Sequence, residues 1–228
     1  MNFTAFRRPL LAAAAFIALP AAASVPAWPD TPLARVELLA ILQSFESALL
    51  SHDSATLVLD DWCARHRLAP TGSKIVAERV RDIDKPITTE QRETLRIAAA
   101  EPVRYRRVRL RCGAQILSEA DNWYVPARLT PAMNAALETT DIAFGRAVQP
   151  LHFQRRTLSA RLLWSPLPPD WDSAAGPIPR GAAGTLAIPD QLIEHRAILT
   201  LPDGTPFSMV TETYGSAILA FPPPAFAP

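Results

Sequence analysis

Five arginines, Arg104, Arg106, Arg107, Arg109 and Arg111, crowd the stretch VRYRRVRLRC from Val103 to Cys112. A guanidinium is a rigid, permanently charged fork of donors. Such a cluster can neutralise nucleic-acid phosphates, lie solvated on a surface, or grip a small carboxylate in bidentate fashion. The stretch reads as a β-strand, in which alternate side chains share a face. Arg107, Arg109 and Arg111 then lie with Val103 and Tyr105, while Arg104 and Arg106 lie with Val108, Leu110 and Cys112. Neither face is cleanly apolar, so alternation leaves open which guanidinium, if any, enters a pocket.

The charge balance argues against nucleic acid as the partner. The chain has 23 Lys and Arg against 22 Asp and Glu in 228 residues. Two of those basic residues, Arg7 and Arg8, open the segment MNFTAFRRPLLAAAAFIALPAAA. There they precede an apolar run from Leu10 to Leu19 and the small residues Ala21 to Ala23. That order of charged, apolar and small segments predicts a secretory signal peptide over 1–23, cleaved after Ala23, and a periplasmic or secreted protein. The apolar run is shorter than the roughly 20 residues of a spanning helix, which makes an uncleaved anchor the weaker reading. The Arg pair leaves general and twin-arginine export both open. Without this leader the chain keeps 21 basic and 22 acidic residues. Nucleic-acid binders usually carry a marked basic excess. No apolar tract of membrane-spanning length follows, and no membrane association is expected after cleavage.

Other familiar chemistries find no footing. There is no G-x-S-x-G elbow, no Gly-rich phosphate loop and no H-E-x-x-H. His52, His66, His152 and His195 lie far apart without metal-ligand spacing, so no metal is expected. The two cysteines, Cys63 and Cys112, have two readings. In an oxidising compartment they form a candidate disulfide closing a loop of about 50 residues, with about 4 kcal/mol of stabilisation in the chain-entropy model. Otherwise they are two buried thiols in apolar patterns.

The elements that must position these residues follow from periodicity and capping. After a proline-bearing linker over 24–32, apolar residues at helical spacing run from Leu33 to Leu50. Ser54 can cap a second helix that stops before Pro70 and Gly72. KIVAERVR alternates as a strand, and TTEQRETLRIAAA follows as a helix capped by Thr88 or Thr89. The arginine strand turns at Gly113 into QILSEADNWYVP, which predicts an antiparallel hairpin. TPAMNAALE is a short helix with Pro131 at its first position, and LHFQRRTLSARLLW a further strand. Residues 166–189, rich in Pro, Gly and Ala, read as a long surface loop within a domain spanning 33–221. A hairpin turning at Asp203-Gly204 and a Pro-rich tail over 222–228 complete the chain. Helices first and antiparallel strands after predict an α+β domain with a mostly antiparallel sheet.

At this point the ordering LLSHDSATLVLDDWC, RYRRVRLRCG, NWYVP, IAFGRAVQP and PFSMVTETY resembles the chorismate pyruvate-lyase family, over roughly residues 45 to 220. That fold is shared by ligand-sensing domains of some transcription regulators. The resemblance implies a six-stranded antiparallel sheet flanked by helices, a buried ligand site and no cofactor. It places Arg107 where the lyase binds a substrate carboxylate, and Glu212 where it has the glutamate acting on the departing ether oxygen. Gly145-Arg146 matches a Gly-Arg pair of the family, which makes Arg146 a further candidate for binding. The chain departs from the lyase at Asn122, which stands where the second carboxylate-binding arginine would be. An amide can donate a hydrogen bond but brings no charge to offset a dianion.

Two functions follow as expectations. One is an exported lyase that cleaves an enolpyruvyl ether to a hydroxybenzoate and pyruvate, with Glu212 as acid. The other is a non-catalytic domain on the same fold that takes a smaller monoanion between Arg107 and Asn122; in either case the ligand is a small anionic, aromatic carboxylic acid.

Overall fold

A computed structural model describes residues 26–173, 178 and 184–224. The leader over 1–23 therefore lies outside the described residues, as do parts of the 166–189 loop and of the tail.

Helix α1 (Pro32–Ser51) starts where the Thr31 hydroxyl accepts the Ala34 N–H at 3.2 Å. It buries Leu38, Leu39, Leu42, Phe45 and Leu49, the stripe expected from their spacing. Helix α2 (Ala55–Arg65) follows and buries Val58, Leu59, Trp62 and Cys63. Strand β1 (Val76–Val80) leads to α3 (Thr89–Leu95), which is closed by a capping box between Thr88 and Gln91. The arginine strand β2 (Arg104–Cys112) and β3 (Gln115–Tyr124) form the expected hairpin around Gly113, whose φ of 56° suits glycine. After α4 (Pro131–Thr139) and the short α5 (Phe144–Ala147), the chain forms β4 (Gln154–Leu162), β5 (Gln191–Thr200) and β6 (Pro206–Gly215).

The six strands make one sheet in the order β1-β2-β3-β6-β5-β4, and every neighbouring pair is antiparallel. This is the expected α+β class, a six-stranded antiparallel sheet flanked by helices. The main core lies where α1 and α2 cover one sheet face. Leu42, Phe45, Trp62, Val108, Leu110, Ile193 and Tyr214 meet there. On the opposite face Leu95 of α3 packs on Ile198, Met209 and Val125 at one end, and the remainder is polar.

Parts of the 24–32 linker and of the 166–189 loop pack against the core. Trp28, in the 24–32 linker, is fully buried, and its carbonyl accepts the Leu186 N–H at 2.8 Å. Leu186 and Ile188, at the end of the 166–189 loop, pack against the core. Cys63 of α2 and Cys112 of β2 are joined in a disulfide, their Cα atoms 6.1 Å apart. Among the described residues no helix is long and apolar enough to cross a membrane.

Candidate functional site: a cavity between the sheet and the start of α2

Strand alternation decides which arginine turns inward. Arg106 pairs across the sheet with Asn122, and Asn122 with Val210, so these three side chains share the helix-covered face. One rung further on, Val108, Ala120 and Glu212 line up in the same way, and Leu199 of β5 faces Arg155 of β4. Together they floor a cavity roofed by residues 53–56 at the start of α2, by Phe144 and Gly145 of α5, and by Phe153. The room left inside for the centre of a water-sized sphere is about 40 Å³, within an atom-free space of about 500 Å³ that includes open solvent, so a ring-sized ligand requires the lining side chains to move apart. The lining is mostly apolar, interrupted by a few polar groups.

Arg106 is 3% exposed. Its Nη2 donates to the Ile142 carbonyl at 2.9 Å, and its Nε is buried without a partner. Burial lowers its pKa to about 10. Arg79 acts in the same direction, and Tyr124 and Asp141 oppose it. At neutral pH the guanidinium is therefore still charged. The other four arginines of the strand pair with acids: Arg104 with Glu138, Arg107 with Glu119 and Asp121, Arg109 with Glu78 and Glu119, and Arg111 with Glu78. Among the described residues, no such carboxylate meets Arg106.

This corrects the assignment of Arg107. One residue along a strand reverses the face. Arg107 points to the polar side of the sheet, where it bonds Glu119 at 2.5 Å and Asp121 at 3.1 Å. It therefore does not share a pocket with Glu212. Arg146 is likewise outside the cavity lining. Its Nη2 donates to Asp60 of α2 at 2.5 Å and its Nη1 to the Ile75 carbonyl at 3.0 Å, tying α5 to α2 and to the chain entering β1. Asn122 and Glu212 do line the cavity. The Asn122 amide oxygen accepts the Ser208 hydroxyl at 2.6 Å, which leaves its N–H groups as the donors for anything else.

Arg155 was missed by sequence reasoning. Its Nη2 donates to Glu212 Oε2 at 2.6 Å, with side chains 4% and 7% exposed, and the Tyr214 hydroxyl donates to the same oxygen at 3.0 Å. Burial works against the charge on Arg155, but the Glu212 carboxylate outweighs it and raises the pKa. Burial, with Glu212 beside it, also raises the Tyr214 hydroxyl well above the ordinary tyrosine value. Arg155 Nε is buried without a partner. The signal that could have found it is Phe153 two residues earlier, an apolar side chain of the same parity entering the strand.

Ser54 stands at the N-cap of α2 as expected, yet makes no capping bond. Its hydroxyl is buried without a partner and lies against Gly145, where a Cβ would come within 2.7 Å of it. The roof thus depends on glycine at 145 for α5 to approach α2. Among the described residues no group of three or more His, Cys, Asp or Glu side chains is placed to hold a metal ion.

No protein-family model matches the chain. Among solved structures, PhnF from Mycobacterium smegmatis is similar with a TM-score of 0.48 at 13% identity, over 78% of this chain and 71% of that one. The effector domain of PhnF from the same organism gives 0.45 at 14% identity, over 77% and 96%. In sequence, the protein of Sinorhizobium fredii (strain NGR234) named Uncharacterized protein y4mC is 58% identical over 201 residues, covering 88% of this chain and 84% of that protein. At that identity and coverage, the chain belongs to the same family as y4mC.

Proposed function

We propose that the chain is an exported, non-catalytic binding domain whose cavity takes a small aromatic carboxylate, with Arg106 as the group that receives the carboxylate. The observation that carries this reading is Arg106 itself. It is a charged guanidinium, almost wholly buried, lining a mostly apolar cavity without an acid partner. A buried charge is costly unless it is paired, and an incoming carboxylate supplies the missing partner. Phe144, Phe153, Leu199 and Val210 offer the apolar walls an aromatic ring needs, and the Asn122 amide offers a neutral donor.

The lyase alternative requires Glu212 to give a proton to a leaving oxygen. Glu212 is instead engaged by Arg155 and Tyr214, which both donate to its Oε2 and tie it into a buried ion pair. Nucleic-acid binding is disfavoured by the pairing of the other four strand arginines with acids, which leaves no free basic stripe. Export is supported by the leader pattern and by the Cys63–Cys112 bond, since disulfides persist mainly in oxidising compartments. A mature N-terminus near Ser24 in exported protein, read by intact mass, tests that part.

The binding reading is tested by native mass spectrometry of the mature protein, followed by titration calorimetry with benzoate and 4-hydroxybenzoate. Binding is expected for wild type and for Arg107→Ala. For Arg106→Ala it should weaken by about 2–5 kcal/mol, the usual cost of stranding a buried charge. Equal effects of the two substitutions would move the site elsewhere. Pyruvate release from chorismate by wild type would restore the catalytic alternative.

A further inference from the structure

The cavity holds two guanidiniums but offers only one. Arg106 has no carboxylate partner among the described residues, whereas Arg155 is already neutralised by Glu212 inside the same cavity. We propose that Glu212 is a charge-selectivity residue: by holding Arg155 in an ion pair it leaves a single uncompensated positive charge, so the site accepts a monoanion and rejects a ligand with a second carboxylate. This rests on the reading of the cavity as a carboxylate site, and deepens it by fixing the ligand's charge.

The rejection follows from the alternatives open to a second carboxylate. It could lie beside Glu212, two like charges in a place largely closed to water, where their repulsion is weakly screened. Or it could displace Glu212 from Arg155, which would leave the Glu212 carboxylate buried with only the Tyr214 hydroxyl to satisfy it. Asp53, exposed at the rim, adds the same sign of charge at the mouth and accepts the Arg155 backbone N–H at 2.9 Å. Asn122 supplies donors without charge. Arg155 keeps one buried N–H without a partner, its Nε. Freed from Glu212, it would have donors for a carboxylate of its own.

The test is calorimetric titration with three probes of one shape class: benzoate, isophthalate and the monomethyl ester of isophthalate. Wild type should bind benzoate and the monoester within about threefold of each other, and isophthalate at least about tenfold more weakly. Rejection of the monoester as strongly as isophthalate would make the discrimination steric and overturn the proposal without any variant. Glu212→Gln should raise the affinity for isophthalate relative to that for benzoate by about tenfold or more. The pair Arg155→Met with Glu212→Gln should lose that gain. An unchanged ratio in Glu212→Gln, with benzoate binding still sensitive to Arg106→Ala, would overturn charge selection and leave the binding reading intact. Absence of binding by all three probes to wild type and variants alike would overturn both.

Discussion

Arg155 and Glu212 form a buried ion pair, 2.6 Å apart and linked across β4 and β6 over a cavity wall, with Tyr214 donating to the same carboxylate oxygen. Removing one member leaves the other charge stranded, which is the costly way to break such a pair. Arg155→Ala is expected to lower stability by about 3–5 kcal/mol in urea unfolding. Arg155→Met combined with Glu212→Gln should cost clearly less, since no uncompensated charge remains. A double variant as damaged as Arg155→Ala would mean that packing, and not charge, dominates there.

The polar face of the sheet should contribute to the loss of stability in acid. Asp121 accepts from Lys85, from the Tyr105 hydroxyl at 2.5 Å and from Arg107 at 3.1 Å. Burial pushes its carboxyl up, but Lys85, Tyr105 and Arg107 outweigh that and hold it below the ordinary aspartate value. A depressed carboxyl contributes its full stability above the unfolded value of about 3.9, and that contribution is lost as the pH falls through the lower folded value. Asp121→Asn should therefore destabilise at neutral pH and flatten the decline below about pH 4. Urea midpoints measured across that range check it, and a wild-type acid limb reproduced by the variant would remove Asp121 from the account.

The Cys63–Cys112 bond closes a loop with a sequence separation of 49. Its reduction should cost about 4 kcal/mol by the chain-entropy estimate, seen as a lower denaturant midpoint in the presence of a thiol reductant. A Cys63→Ala with Cys112→Ala variant should show the same loss and no longer respond to reductant.

At the roof, Gly145→Ala would place a methyl 2.7 Å from the Ser54 hydroxyl and 3.1 Å from that of Thr56. Forced overpacking of this kind costs about 1–3 kcal/mol. Ser54→Ala alone should cost well under the roughly 1 kcal/mol of a lost cap, because its hydroxyl makes no capping bond. In the Gly145→Ala background it should recover stability. Thermal melts of the four proteins in this cycle measure the coupling.

Much of the scaffold is legible in the sequence because local rules govern it. The apolar stripe of α1, the capping box at Thr88, Pro131 after Thr130, and the turns at Gly113 and Gly204 all depend on residues within a few positions of one another. The site is less legible. Arg106 shares its parity with Val108, Leu110 and Cys112, but Arg104 lies on that face too and neither face is cleanly apolar, so alternation left the choice open. The resemblance pointed to Arg107, one residue along the strand and therefore on the opposite face of the sheet. The parity of Phe153 could have turned Arg155 inward, but its meeting with Glu212 depends on how β4, β5 and β6 register, including a shift between Thr157 and Ser159. That information is tertiary. Ser54 followed the N-cap preference in position but not in bonding.

The sheet order joins two stretches of chain along a single line, where β3 meets β6. Arg106 and Asn122 come from the hairpin before that line, and Arg155, Val210 and Glu212 from the three-stranded meander after it. Neither stretch contains the cavity alone, so occupancy is a reporter of assembly: only molecules in which the line has closed can take up ligand. On the proposed function, a bound acid would act as a clasp between the two halves, raising the free energy of separating them by RT ln(1 + [L]/Kd). Complementation between two co-expressed fragments, divided in the loop ahead of β4, would give that clasp a direct readout.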